Sequence, residues 1–108
     1  VTALEEVLGA LADPTRREVL ERLSRHGFAT ATVLADELPI TRQAVVQHLA
    51  VLDAAGLVSA RRSGRERRFE IRTERLTDTA RWIEDLAAEW DDRLAAIKRL
   101  AESPEPGS

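Results

Sequence analysis

A mainly α-helical domain, interrupted once by a small β-hairpin and closed by one long C-terminal helix, is the fold class this sequence predicts. Three observations carry it. Seventeen of the 108 residues are alanine and fourteen are leucine, the residues that lead the ranking of helix propensity. Apolar residues recur at steps of three and four along most of the chain, and the period shortens only around residues 57–71. There are four aromatics, Phe28, Phe69, Trp82 and Trp90, so the core is expected to consist of Leu, Val, Ile and Ala. A length of 108 residues suits one domain and is too short for two independent cores. Residues 1–102 are assigned to that domain and "SPEPGS", residues 103–108, to a disordered tail.

Leu4, Val7, Leu8 and Leu11 stand at i, i+3, i+4 and i+7, the spacing of an amphipathic helix. Asp13-Pro14 stops it and starts another. An aspartate caps orphan amides, and a proline at the first helical position sacrifices no hydrogen bond. The second helix buries Val19, Leu20 and Leu23 and ends near Gly27. Residues 31–38 read as a short third helix, capped by Thr30 and closed by Pro39. Thr41 caps a fourth over 41–55, with Ala44, Val45, Leu49 and Leu52 as its apolar set and Gly56 beyond its end.

In "LVSARRSGRERRFEI" two strand-like runs over 58–71 flank Ser63-Gly64-Arg65, a hairpin tip. Leu57, Val58, Phe69 and Ile71 are the expected core contacts at its base, with the basic tip standing clear. Over 76–101 a stripe of Leu76, Ala80, Ile83, Ala87, Trp90, Leu94, Ile97 and Ala101 alternates steps of four and three. So small a core cannot cover it. A homodimer is therefore expected, with Ile83, Ala87, Trp90, Leu94 and Ile97 meeting a second copy and Leu4, Val7, Leu8 and Leu11 joining them from the opening helix.

The net charge of −3 conceals an asymmetry. Residues 1–40 hold four arginines against seven acids, 41–72 hold seven arginines against three, and 73–108 hold five bases against nine acids. A basic segment between acidic ones steers a polyanion to one face; on charge alone, a solvated Arg-rich surface is the simpler reading. Cysteine is absent, which excludes disulfides, thiolate metal sites and cysteine redox sensing. No apolar run approaches the ~20 residues of a bilayer span, and no signal-peptide pattern opens the sequence. A cytoplasmic location without a membrane partner is expected. No Gly-rich phosphate loop or nucleophile elbow is present, so neither an enzyme nor a cofactor is expected.

Two helices joined by the tight "LPIT" junction form a helix-turn-helix candidate, whose second helix would lay its N-terminal residues in a DNA major groove. The chemistry there is suitable. Arg42 can bond guanine or phosphate bidentately, Gln43 and Gln47 can read adenine edges, and Thr41 can bond a phosphate. Arg61, Arg62, Arg65, Arg67 and Arg68 on the hairpin suit backbone or minor-groove contact at the flank. Singly, each is more often an ordinary solvated residue; in this order and spacing they make a winged reading unit on double-stranded DNA. The full contact set is Thr41, Arg42, Gln43, Ala44, Val46, Gln47 and His48 with the five hairpin arginines.

"LADPTRREVLERL", "ELPITRQAVVQHLAVLDAAGLV" and "RSGRERRFEI" resemble the ArsR/SmtB family of bacterial winged-helix repressors, over residues ~4–72. The resemblance is closest to metal-independent members. It implies an autoregulating repressor, and the two-fold dimer expected from the C-terminal stripe calls for an imperfectly palindromic operator. The family usually places serine two residues before the histidine of the reading helix, facing DNA; this chain has Val46, which removes one polar contact and offers an apolar one to a thymine methyl.

Metal-sensing members use a cysteine pair before the reading helix, or Asp and His on the last helix. Here the 31–38 helix has no cysteine. The last helix carries Asp78, Glu84, Asp85, Glu89, Asp91 and Asp92 without histidine, a poor set for zinc-like ions. These acids read as a solvated face pairing with Arg81, Arg93 and Lys98. His48 reads as a packing or phosphate contact and His26 as a favourable charge near a helix C-terminus. No metal is expected, and the sequence assigns no small-molecule effector. The rival reading is a winged-helix module for protein–protein assembly, since fold does not fix function.

Overall fold

A computed structural model describes residues 2–102 of the chain; the tail expected at 103–108 lies outside them. Thr2 opens α1 (Ala3–Leu11), its hydroxyl accepting from the Glu5 amide at 3.1 Å. The next corner is built entirely from "DPTRR". Asp13 caps α2 (Pro14–His26), accepting from the Thr15 and Arg16 amides at 2.8 and 3.1 Å, and Pro14 occupies the first turn. Arg16 Nε then donates back to the Ala10 carbonyl at 2.8 Å, and Arg17 to the Leu11 carbonyl at 2.6 Å. The segment that starts α2 thereby satisfies carbonyls left orphaned at the end of α1.

Gly27, at φ 78°, closes α2 and donates to the Leu23 carbonyl at 3.0 Å. A short strand follows that no periodicity announced, β1 (Phe28–Ala29). Then come α3 (Ala31–Glu37), capped by Thr30, and α4 (Arg42–Ala54), capped by Thr41, whose hydroxyl accepts from the Ala44 amide at 3.1 Å. α4 ends in a Schellman motif: Leu57 N–H reaches the Leu52 carbonyl and Gly56 N–H the Asp53 carbonyl, both at 2.9 Å. Gly56 supplies the required positive φ of 77°.

β2 (Val58–Ser63) and β3 (Glu66–Ile71) form the expected hairpin, and β1 pairs with β3 on its other side, giving an antiparallel sheet of order β1-β3-β2. The last element is α5 (Glu74–Glu102).

The residues divide into two compact units, one ending at Thr77 and one beginning at Asp78. The core of the first is aliphatic. Val7, Val19, Leu23, Leu34, Val45, Leu49, Leu52, Leu57 and Val58 are fully buried, so α1 to α4 and the base of the hairpin share one interior. Burial of each is worth roughly 1.5–3 kcal/mol. Val7 corrects an expectation. It is 1% exposed and belongs to this interior, so it is unavailable to a second copy. At 100° per residue Val7 and Ala10 point inward, Leu4 and Leu11 sit at the margin, and only Leu8 faces out.

In the second unit α5 exposes Trp82, Ile83, Leu86, Trp90, Leu94, Ile97 and Leu100 by 41% to 80%. The apolar surface is wider than the expected stripe, which omitted Trp82, Leu86 and Leu100. No helix among the described residues is long and apolar enough to cross a membrane.

Candidate nucleic-acid interface

α3 and α4, separated by Leu38, Pro39, Ile40 and the cap Thr41, are the two arms of a helix-turn-helix. Burial fixes which side of α4 is free. Val45, Leu49 and Leu52 turn into the core, leaving Arg42, Gln43, Val46, Gln47, Ala50 and Val51 among the exposed residues. Gln43 and Gln47 are one turn apart and opposite the buried set, at the crest of that face. Ala50 is a member outside the set expected from the sequence, which took Ala44 as its alanine; Ala50 is the more exposed of the two. Ala44 and His48 are half-buried at the edge of the face. His48 is near enough to the α1–α2 corner for its charge to act on Asp13. Arg42 is exposed but tethered: its Nε donates to Thr32 Oγ1 on α3 at 3.1 Å. The tether joins α4 to α3, and periodicity gave no signal of Thr32.

The pleat sorts the hairpin arginines. Ala60 opposes Phe69, and Val58 opposes Ile71, on the face turned to the core; in the same alternation Arg62 opposes Arg67 on that face. Ser59–Glu70, Arg61–Arg68 and Ser63–Glu66 are the pairs of the outer face. Gly64 and Arg65 make the turn, with φ positive at Gly64 (63°) and not at Arg65, the pattern of a type II′ connection.

Two arginine pairs therefore sit directly across the ladder, an arrangement of like charges that destabilises a free hairpin. Compensation is slight. Arg68 lies 3.7 Å from Glu66, an exposed ion pair worth little, and the Arg67 guanidinium stands 5.5 Å from the Phe69 ring centroid. Arg61, Arg62 and Arg65 have no ion pair among the described residues. All of residues 61–68 are exposed. Between α3, α4 and the hairpin runs an open groove of about 540 Å³, lined by Thr32, Arg42, Val46, Arg62, Arg65 and Arg67 among others.

Supporting contacts lie behind this face. His26 Nε2 is 2.8 Å from both carboxylate oxygens of Glu37, and Arg22 approaches the same group at 3.9 Å, tying the end of α2 to the end of α3. His26 is thus more than a charge at a helix end. Arg75 donates to the Ala55 carbonyl at 2.7 Å and to Glu6 at 3.2 Å, linking α1 to the end of α4. Among the described residues no three His, Asp or Glu side chains gather into a potential metal site. Of the expected α5 acids, Asp78 pairs with Arg81 at 4.0 Å, whereas Lys98 meets Glu102, an acid outside the expected set, also at 4.0 Å.

A helix-turn-helix followed by a basic hairpin defines the winged helix-turn-helix class. A domain family described as "Helix-turn-helix domain" matches residues 11–60. An HTH-type transcriptional regulator of Mycobacterium tuberculosis is 40% identical over 94 residues, 87% of this chain and 84% of that protein. The transcriptional repressor SdpR of Bacillus subtilis is 30% identical over 91 residues, 84% of this chain and all of the repressor. Among solved structures, an ArsR-like transcriptional regulator from Rhodococcus sp. RHA1 superposes with a TM-score of 0.82 at 47% identity, covering 94% of this chain and 95% of that one. The chain belongs to the ArsR family of helix-turn-helix transcriptional regulators, which are not enzymes.

Proposed function

We propose that this protein is a dimeric repressor that binds an imperfectly palindromic operator, reading the major groove with helix 41–55 and holding the flank with wing 58–71. The single observation that carries this reading is the pair of opposed arginine rungs, Arg61–Arg68 and Arg62–Arg67. Like charges held face to face cost stability in the free protein. Phosphates on the wing would relieve that cost, because each arginine could then pair with an anion. The wing beside the exposed Gln43 and Gln47 supports a division of labour, with arginines positioning the duplex and glutamines reading it. That SdpR is a transcriptional repressor supports the same direction of control.

Dimerisation rests on α5. Seven large apolar side chains on one helix exceed what a monomer ordinarily leaves in water. A second copy offers the same surface and would bury Ile83, Trp90, Leu94 and Ile97, with Ala87 between them; the exposed Leu8 of α1, flanked by Leu4 and Leu11, is a lesser candidate for such contact.

The reading is tested by electrophoretic shift on DNA upstream of the protein's own gene, at several salt concentrations. Specific binding should weaken linearly in log–log form as salt rises, with a slope of about −0.9 per neutralised phosphate. Absence of a specific complex at low salt would favour the protein-assembly module instead.

A further inference from the structure

Val46 is an exposed apolar side chain beside the polar crest of α4. The exposed face of α4 carries Gln43 and Gln47, with Arg42 beside them, yet Val46 turns an isopropyl group to solvent at 40% exposure. The core has no need of it, because Val45, Leu49 and Leu52 fill the buried side of α4 and are each 0% exposed. The open groove it borders is lined mostly by polar or charged residues, Arg42, Arg62, Arg65 and Arg67 among them, with Ala31, Val33 and Phe69 as its other apolar members. The Arg42 side chain is held toward α3 by Thr32, which leaves Val46 uncovered.

An apolar group on a helix that enters a major groove meets one apolar feature of the base edges, the C5-methyl of thymine. We infer that Val46 is a specificity-determining residue that reads a thymine methyl in each half-site; the inference rests on the DNA reading proposed above. The spacing supports it. Val46 lies three residues beyond Gln43 and one before Gln47, a displacement of ~4.5 Å or less along the helix axis, comparable with the ~3.4 Å between successive bases of a strand. A glutamine that pairs with the N6 and N7 of an adenine therefore sets Val46 against the same or the adjoining base pair. Each half-site should contain neighbouring A·T pairs, one read by its adenine edge and one by its thymine methyl.

The test uses the full chain and a duplex obtained by in vitro selection from random sequence. Each thymine of the selected site is replaced in turn by deoxyuridine, which keeps base pairing and removes only the methyl. At one thymine per half-site the wild type should lose affinity about four-fold, the equivalent of one buried methyl, and about fifteen-fold when both half-sites are changed. Val46→Ser, at an exposed position and checked for fold by circular dichroism, should bind the thymine site more weakly and be indifferent to the same replacement. A wild type insensitive to uridine at every position overturns the inference and leaves specific DNA reading intact. Sensitivity that persists in Val46→Ser also overturns it, since another side chain, such as Ala50, would be the reader. If no sequence-specific complex can be selected, the DNA reading itself fails and the inference with it.

Discussion

Asp13 shows how much one side chain arranges. Its carboxylate accepts from the Arg16 amide, the largest influence, and from the Thr15 amide, and these bonds with the nearby charges of Arg16 and His48 hold its pKa below the ordinary 3.8, against an upward effect of burial second only to the Arg16 bond. A folded-state pKa lowered in this way contributes stability that is fully present above the unfolded value and is lost as pH falls through the folded one. Asp13→Ala should therefore lower Tm at pH 7, and the gap to wild type should begin to narrow below pH 3.8, reaching under the depressed folded value only what a neutral carboxyl cap contributes. Thermal melts of both proteins between pH 2 and 7 check this; a gap that stayed constant would mean that the capping charge contributes nothing.

Gly56 is the second such residue. A Cβ there would stand 2.8 Å from the Arg75 side chain on a backbone with φ 77°. Gly56→Ala should cost roughly 1–3 kcal/mol in urea denaturation, from the left-handed backbone and from Arg75 being driven off the Ala55 carbonyl. Part of that cost should disappear in an Arg75→Ala background, because the two side chains compete for the same space.

Among the elements, the wing is proposed to give up stability for DNA binding. Arg62 has no ion pair among the described residues and faces Arg67 across the ladder. Arg62→Thr should leave the free protein as stable as before or up to ~1 kcal/mol more stable. The same change should weaken DNA binding and reduce the salt slope by about one unit for each phosphate no longer neutralised. Stability by denaturation and affinity by titration, measured on one preparation, separate the two effects.

The helices were legible because their signals are local. Apolar residues at three- and four-residue steps, with Asp13, Thr30 and Thr41 as caps, place α1 to α4 before any tertiary neighbour is known. β1 was not legible, because two residues carry no period and pairing with β3 alone makes Phe28–Ala29 a strand. Val7 was misplaced for a related reason. Periodicity shows that α1 has an apolar face but not which of its members meets the core and which meets solvent. The tethers Arg42–Thr32, His26–Glu37 and Arg75–Glu6 join residues 10, 11 and 69 positions apart, beyond the reach of local pattern. Of the residues proposed to face DNA, polar chemistry marked Gln43, Gln47 and the arginines, helix position added Ala44 and Val46, and Ala50 could be found only from exposure.

For the whole molecule, two-fold symmetry and groove reading are linked claims. Ile83→Asp with Leu94→Asp places charges on the apolar face of α5 and should yield monomers in sedimentation at micromolar concentration, with operator binding abolished although the Gln43 face is untouched. A wild type that itself sediments as a monomer would remove the basis for a palindromic site. A dimer should footprint two half-sites about one turn of DNA apart, roughly 34 Å or a multiple of it. The most direct measurement compares Gln43→Ala and Arg65→Ala on the specific and a scrambled duplex. Gln43→Ala should lose ~1–3 kcal/mol on the specific site and flatten the discrimination between the two. Arg65→Ala should weaken both duplexes nearly equally and reduce the salt slope. Sequence preference altered by Arg65→Ala and untouched by Gln43→Ala would contradict the division between a reading helix and a holding wing.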